Sequence, residues 1–384
     1  MDIALLLVAL LGHAVIWVAA INRAHACGWR RGLVVAVTTA CFAVMGAVPA
    51  AVVWWVAAAG GPAGWLRSGH CGPAMLAYCG LCVACAVAAV AGWIGRRVLR
   101  PTHLSRSHRV RSVDTEAVAL PSVEHPHHFV VHLPRNESLQ LDLTERAIDV
   151  PRLPPSLDGL SIVHLSDLHF TGRVGRIYFE EVVRASNELE PDLVAITGDL
   201  VDRSAYIDWI PQTLGRLAAR YGVYFVLGNH ERRVDVERLL RVLRESGLRH
   251  VGGRWLEITA RSERVVISGN ELPWFGPAAD LTGCPPRAAA PLRIALAHTP
   301  DQLPWAQAGD ADLLLAGHTH GGQIRLPLVG PIFTPSRGGV TYASGLFYAP
   351  PTILHVSRGV SGQFPLRINC PPEMTELRLH AGRS

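Results

Sequence analysis

The first hundred residues contain three long apolar segments separated by short polar loops. The segments cover residues 3–21, 33–59 and 73–94, and a membrane-spanning helix needs roughly 20 such residues. The flank before the first segment carries Asp2 and no arginine, and no cleavage motif leads into a soluble domain, which argues against a cleaved signal peptide. The pattern predicts an all-α transmembrane region of three helices at residues 1–100.

Arginines are distributed unevenly around these segments. Three lie in the first loop, one in the second and six after the third segment, namely Arg23, Arg30 and Arg31, then Arg67, then Arg96, Arg97, Arg100, Arg106, Arg109 and Arg111. Because arginine-rich loops stay on the cytoplasmic side of a membrane, we expect the amino terminus outside and the carboxy-terminal domain in the cytoplasm. The predicted location is the cell inner (plasma) membrane, as a multi-pass protein in contact with membrane lipid.

The charge balance excludes one class of partner. The formal net charge is +5, but residues 1–100 carry +6 and the remaining residues −1. The carboxy-terminal part therefore has no broad basic surface, and no nucleic-acid partner is expected.

The spacing of Cys79, Cys82 and Cys85 resembles a metal-cluster motif, but it lacks a fourth ligand and a polar surrounding, so packing between apolar helices is favoured.

Residues 101–150 read as a linker with lead-in strands. Segments 129–133 and 139–143 alternate apolar and polar positions and predict a hairpin. The histidines His125, His127 and His128 are a weak metal-binding signal, and a solvated loop is the default interpretation.

Beyond residue 150 the pattern changes to short apolar runs that alternate with helix-length segments. Strands are predicted at 161–165, 193–197, 223–227, 265–268, 294–297, 313–316, 353–356 and 376–379, and helices at 177–189, 211–220 and 234–246. The near-continuous apolar character of the strands requires cover on both faces of each sheet. Residues 151–384 are therefore predicted to form one layered α/β domain.

Polar side chains follow five of the predicted strands. They are Asp167 and His169, Asp199 and Asp202, Asn229 and His230, His298, and His318 and His320. Because α/β domains place ligands at the carboxyl ends of their strands, we expect these residues to meet at one edge.

The residue types point to metal ions. Carboxylate, amide oxygen and imidazole suit Mn, Fe or Zn, and residues two apart in an extended segment face the same side. About seven ligands exceed the needs of one ion, so two divalent metal ions that share a bridging carboxylate are expected. Such a pair polarises phosphoryl oxygens and generates hydroxide near neutral pH, which predicts hydrolysis of a phosphate ester.

The ordered motifs resemble those of the calcineurin-like metallophosphoesterase superfamily. Residues 317–325 (GHTHGGQIR), 335–337 (PSR), 356–359 (VSRG) and 371–373 (PPE) further resemble its bacterial membrane-associated phosphohydrolase branch. The resemblance covers about residues 150–380. It implies an α/β (α+β) four-layer metallophosphoesterase sandwich behind the transmembrane helices.

The resemblance also implies a role for each site residue. The first metal ion would be held by Asp167, His169 and His320, the second by Asn229, His298 and His318, with Asp199 bridging both. His230 would act on the scissile phosphate or the leaving group, oriented by Asp202. Relatives commonly have Asp where this chain has Glu231, which is not a ligand position.

Three questions remain open at the level of the sequence. Segment 271–293 is either part of the substrate pocket or only a loop, and Arg203 either contacts phosphate or forms a surface salt bridge. The expected function is hydrolysis of a phosphodiester or pyrophosphate bond by a metal-bridging hydroxide, on a lipid-linked substrate or a soluble diester. The alternative is a catalytically silent, metal-binding membrane receptor or scaffold.

Overall fold

The computed structural model of the chain describes residues 3–58, 72–98, 104–114 and 128–382. The predicted loop around Arg67, and the histidines His125 and His127, lie outside these residues. The chain divides into two compact units: the three amino-terminal helices together with residues 335–341, and the remainder of the chain. The predicted boundaries at residues 100 and 150 stay predictions.

The first unit contains the three predicted membrane helices. These are α1 (Ile3–Ala26), α2 (Arg31–Ala58) and α3 (Pro73–Val98). Their most apolar windows have mean hydropathies of 2.5, 2.1 and 2.2, so all three are long and apolar enough to cross a membrane. Gly12 of α1 lies directly against the backbone of Cys82 in α3, which leaves no room for a side chain. Such close backbone approach at small residues is typical of helix packing in lipid.

The second unit is built on two large sheets. The first sheet has the order β1-β2-β15-β3-β4-β5-β6, and its strands are β1 (Ser105–Asp114), β2 (Gln140–Val150), β3 (Leu160–Leu165), β4 (Leu193–Thr197), β5 (Val223–Val226), β6 (Arg249–His250) and β15 (Glu373–Ala381). The second sheet has the order β13-β14-β10-β9-β8-β7, and its strands are β7 (Trp255–Ala260), β8 (Glu263–Asn270), β9 (Leu292–Ala297), β10 (Leu313–Ala316), β13 (Gly345–Ala349) and β14 (Thr352–Val356).

Three helices pack on the sheets, and the unit also contains a small two-stranded hairpin. The helices are α4 (Arg176–Glu188), α5 (Val236–Glu245) and α6 (Leu303–Ala308), and the hairpin consists of β11 (Arg325–Leu326) and β12 (Gly330–Pro331). Asp235 caps α5, because its side chain accepts a hydrogen bond from the backbone N–H of Arg238.

Three apolar cores separate four layers. One core lies between the first sheet and helices α4 and α5, with Phe179 and Leu239 fully buried. A second lies between the two sheets and includes Ile162 and Leu315, and a third packs α6 on the outer face of the second sheet through Leu303. This helix–sheet–sheet–helix order confirms the expected four-layer sandwich.

Two local predictions were wrong. Segment 129–133 lies in a 3-10 helix (His128–His132), and β2 pairs instead with β1 and β15, so the expected hairpin does not exist. Residues 211–220 do not form an α-helix, because Pro211 lies inside a 3-10 helix (Ser204–Gln212) and Thr213 has non-helical backbone angles. In both cases long-range pairing and packing override a local pattern that sequence alone cannot distinguish.

The topology brings the motifs together. Strands β3, β4 and β5 are parallel neighbours, and so are β9, β10 and β14, so their carboxyl ends lie along one edge of each sheet. Contacts across the core join the two sheets at β4 with β9 and β10. The loops that follow these strands are thereby brought to one end of the sandwich.

Candidate metal centre

The first group of side chains gathers around two buried carboxylates. Asp167 and Asp199 are 0% and 1% exposed, and they lie with His169 and His320 so that their ligand atoms are all within 4.8 Å of one another. His169 Nε2 is 3.6 Å from Asp199 Oδ2, and His320 Nε2 is 3.4 Å from Asp167 Oδ1. The two imidazoles are 3.2 Å apart at their Nε2 atoms.

A second group shares Asp199 with the first. His298 Nε2 is 3.3 Å from Asp199 Oδ2 and 3.1 Å from Asn229 Oδ1. His318 Nδ1 lies 3.1 Å from the same Nε2 atom of His298. Asp199 therefore lies between two sets of nitrogen and oxygen donors.

Hydrogen bonds to the outer ring nitrogens fix which atoms face the centre. His169 donates from Nδ1 to Asp202 over 2.8 Å, and His298 donates from Nδ1 to the carbonyl oxygen of Thr197 over 2.7 Å. In a neutral imidazole the Nε2 lone pair then points inward, which is the tautomer that a metal ligand needs.

His230 lies beside both groups. Its backbone N–H donates to Asp199 Oδ1 over 2.8 Å, and its Nδ1 donates to Asp202 Oδ1. Its Nε2 is turned inward, 3.9 Å from Asp199 Oδ2. Asp202 thus holds two imidazoles, His169 and His230, one on each carboxylate oxygen.

The distances between these side chains fit ligands that share a cation, rather than side chains that only contact one another. Ligands that are each about 2.0–2.2 Å from one ion lie about 3–3.5 Å from each other, and the imidazole–carboxylate and imidazole–imidazole separations from 3.1 to 3.6 Å match that spacing. The donor set is entirely nitrogen and oxygen, without thiolate, and suits borderline-hard divalent ions.

Comparison with known proteins agrees with this geometry. A family profile described as "Calcineurin-like phosphoesterase" matches residues 160–322. The uncharacterized metallophosphoesterase YkuE of Bacillus subtilis (strain 168) is 31% identical over 251 residues, which cover 63% of this chain and 87% of YkuE. The phosphodiesterase YaeI of Escherichia coli (strain K12) is 32% identical over 224 residues, 57% of this chain and 81% of YaeI.

The chain belongs to the calcineurin-like metallophosphoesterase family. It is accordingly a phosphate-ester hydrolase of a family that binds divalent metal ions. A transmembrane protein with a metallophosphoesterase domain from Bos taurus is 34% identical over 262 residues, 62% of this chain and 57% of that protein. The predicted resemblance to membrane-associated members of this family is thereby confirmed, and so is the predicted metallophosphoesterase fold.

All nine predicted site residues of this metallophosphoesterase meet at one end of the sandwich. They are Asp167, His169, Asp199, Asp202, Asn229, His230, His298, His318 and His320, and eight of them belong to the clusters able to hold a metal ion while Asn229 contacts His298. The individual roles of these residues stay predictions. The loops that carry them are strained, because Asp167, His169, Asp199, His318 and His320 all have positive φ, between 48° and 70°.

That backbone strain concentrates at the site. A non-glycine residue at positive φ costs about 1–3 kcal/mol and persists only where the surrounding structure enforces it. At Gly198 (φ 88°) an added Cβ would lie 2.7 Å from the backbone nitrogen of Gly228, so glycine allows the two loops to touch.

Burial and charge perturb the titrating groups of the metallophosphoesterase site. Burial lowers the pKa of His169, but the carboxylates of Asp202, Asp199 and Asp167 together outweigh it and raise the pKa to about 9. Burial also lowers the pKa of His298, but Asp199, Asp167 and the hydrogen bond to Thr197 together outweigh it and raise the pKa to about 9. Burial raises the pKa of Asp167, with a further contribution from Asp199. Cations bound at this centre would displace these protons and stabilise both carboxylates.

Glu231 has a structural function that its sequence position did not reveal. It is fully buried, and its carboxylate accepts hydrogen bonds from four backbone N–H groups, those of Asp199 (3.1 Å), Leu200 (2.7 Å), Val201 (3.0 Å) and Gly228 (2.6 Å). Burial and Asp199 raise the pKa of Glu231 to about 7, against these hydrogen bonds. Glu231 therefore joins the loop after β4 to the loop after β5.

Two further residues support the centre and carry no recognisable sequence signal. The ring of Trp274 lies 4.7 Å from that of His318 and 5.4 Å from that of His298, so this residue, near the start of segment 271–293, borders the site. Arg367 is 1% exposed and donates to the carbonyl oxygens of His320 (3.0 Å) and Arg358 (2.8 Å), which holds the loop after β10.

We predict that Glu231→Gln weakens metal binding. The amide nitrogen of Gln would face backbone N–H donors, and loss of such outer-sphere support lowers metal affinity by about 10–100-fold. Metal titration of the full-length protein in detergent measures this. Glu245→Gln, at the exposed end of α5, is the matched control. Equal affinities of the wild type and Glu231→Gln would contradict the proposed role of the four hydrogen bonds.

Proposed function

We propose that the protein is a membrane-anchored phosphoesterase that hydrolyses a phosphodiester or pyrophosphate bond with two divalent metal ions. The observation that carries the proposal is the pair of ligand groups that share Asp199. Asp167, His169 and His320 would hold one ion and Asn229, His298 and His318 the other. When bound, the two ions would polarise the phosphoryl oxygens and activate water.

The side chains of the protein would divide the remaining work. Asp199, between the groups, would fix the distance between the ions. His230 can carry a proton at Nε2, on the side that faces the centre, because its Nδ1 is held by Asp202. A proton at that atom is placed to reach the leaving oxygen as the phosphorus–oxygen bond breaks. The nitrogen and oxygen donors favour Mn, Fe or Zn.

Replacing the shared carboxylate tests this proposal. Asp199→Asn in the full-length protein should lose at least about 100-fold in Mn²⁺-dependent hydrolysis of bis(p-nitrophenyl) phosphate, because even outer-sphere partners of metal ligands contribute about 10–100-fold. Chelation should abolish the activity and Mn²⁺ should restore it. Asp208→Asn is the control, since the Asp208 side chain is 70% exposed and pairs with Arg238. Metal binding without turnover of any ester would instead favour a silent receptor or scaffold.

We further infer that the substrate is lipid-linked. The hairpin β11–β12 begins five residues after His320, and around it Ile324, Leu326 and Val329 are 41%, 45% and 54% exposed. Exposed apolar side chains grouped beside a catalytic site are typical of surfaces that receive apolar ligands. The three apolar helices support the same substrate class, because they would keep the enzyme where lipids are.

Hydrolysis of lipid-linked and soluble substrates should respond differently to a change in the hairpin. Leu326→Ser should lower kcat/KM about tenfold for a pyrophosphate-linked lipid in mixed micelles, through the lost apolar contact. Ile177→Ser, at an exposed position of α4 (57%), is the matched control. Equal effects of Leu326→Ser on the lipid and on a soluble diester would contradict the lipid-linked substrate.

We also propose that the catalytic domain lies in the cytoplasm, with the helices in the inner (plasma) membrane. The support is the arginines where α1 passes into α2, namely Arg23, Arg30 and Arg31, together with the arginines in the last turn of α3 and after it. In intact spheroplasts, a carboxy-terminal tag should be protected from added protease and become sensitive only after detergent treatment. Cleavage of the tag before lysis would reverse the orientation.

A further inference from the structure

The hairpin β11–β12 carries an exposed apolar turn. The consecutive residues 326–329 (LPLV) are all exposed. Leu328 is 79% exposed, which is the highest value for a large apolar side chain among the described residues. A run of exposed apolar residues is unfavourable in water and points to a surface with a function. We call residues 327–329 the hairpin tip.

No charged side chain interrupts the apolar surface around the tip. Residues 326–336 contain no Asp, Glu, Lys, Arg or His, and the segment is bounded by Arg325 and Arg337. Its two hydroxyl side chains, Thr334 and Ser336, are 1% and 0% exposed. The side chains that this segment presents to its surroundings are therefore apolar.

The backbone of the tip is strained at the leucine. The Val329 N–H donates to the carbonyl oxygen of Pro327 over 2.8 Å, and Leu328 between them has φ 64°. A three-residue turn with positive φ is rare and strained, and glycine or asparagine adopts positive φ more readily than leucine does. Packing inside the protein does not explain the leucine, because its side chain is mostly exposed. A strained, exposed and apolar residue indicates a function in contact with something outside the folded chain.

The chain runs from the hairpin directly into the unit that contains the apolar helices. Residues 332–334 connect β12 to segment 335–341, which forms one compact unit with α1, α2 and α3. Within this unit an added Cβ at Gly339 would be 3.9 Å from Asn22 Nδ2 in α1. Because these helices are long and apolar enough to cross a membrane, the tip is continuous with the part of the chain that requires a lipid bilayer.

We propose that the hairpin tip inserts its side chains into the surface of the lipid bilayer that holds the three helices. Pro327, Leu328 and Val329 would enter the apolar layer. The backbone of the turn would stay in the interfacial region, where water satisfies its N–H and C=O groups. The inference goes beyond the proposed function, because it concerns the bilayer itself and holds for a lipid-linked or a soluble substrate.

Insertion of the tip would hold the metal centre at the membrane surface. The strand β11 begins five residues after His320, and Arg325 in this strand donates from Nε to the carbonyl oxygen of Gly321 over 2.8 Å. The hairpin is thereby joined to the loop that carries His318 and His320. A tip anchored in lipid would keep this end of the sandwich turned toward the bilayer.

Photo-crosslinking tests the insertion in the full-length protein, reconstituted in vesicles of phosphatidylethanolamine and phosphatidylglycerol. Leu328→p-benzoylphenylalanine should form a lipid adduct that mass spectrometry detects in the tryptic peptide 326–337. Ile177→p-benzoylphenylalanine, at an exposed position of α4 (57%), is the matched control and lies in the tryptic peptide 177–184. The adduct at position 328 should exceed the control at least about tenfold, because burial of a leucine-sized apolar side chain is favoured by about that factor.

A second variant separates insertion from a structural role of the leucine. Leu328→Asn keeps a residue that tolerates positive φ and removes the apolar side chain. With Val329→p-benzoylphenylalanine as the probe, adding Leu328→Asn should lower the yield of lipid adduct about tenfold. The midpoint of thermal unfolding in detergent should not fall, because the replaced side chain is mostly exposed.

Four results would overturn the proposal. Equal adducts at positions 328 and 177 would show that lipid does not select the tip, and an unchanged adduct in the Leu328→Asn variant would show that the leucine does not drive insertion. A lower unfolding midpoint of Leu328→Asn would assign the side chain to the fold. Crosslinks to a second copy of the chain in place of lipid would assign the tip to a dimer interface. Crosslinking requires no turnover, so its failure is distinct from failure of the proposed hydrolysis, which ester assays with added metal measure.

Discussion

The burial of Asp167 and Asp199 beside each other is the constraint on which the rest of the site depends. Two ionised carboxylates without solvent repel each other and lose hydration, so the fold must supply compensating groups. Part of the compensation is internal, since the backbone N–H of His318 donates to Asp167 and that of His230 donates to Asp199. The rest falls to the surrounding imidazoles and to the cations that the donor set fits.

Satisfying that constraint requires loops in unusual conformations. Five of the nine site residues adopt positive φ, which places neighbouring side chains on one centre at a cost in backbone energy. Glu231 offsets part of this cost by binding four backbone N–H groups of the two central loops. Glu231 is itself a buried carboxylate. Among the site residues its side chain binds only the backbone N–H of Asp199, so the centre depends on a third acid that is not a predicted metal ligand.

The contacts of the centre extend outward to the solvent. Asp202 links His169, which faces the two buried acids, to His230, and Arg233 contacts His230 from the solvent side.

The sequence by itself determined the nine polar residues that meet at the site, their order and their positions after β3, β4, β5, β9 and β10, because apolar strands followed by Asp, Asn or His are a local pattern. It also determined the three apolar helices. It did not determine the partners of β2 or the backbone of residues 211–220, since these depend on distant packing.

Only the tertiary structure decided what supports the centre. Three supporting residues act through contacts with residues far away along the chain or with backbone atoms, namely Glu231, Trp274 and Arg367. Neither kind of contact leaves a periodic pattern in the sequence. Local pattern thus specifies which residues carry the chemistry, while long-range packing specifies what holds them and what charge surrounds them.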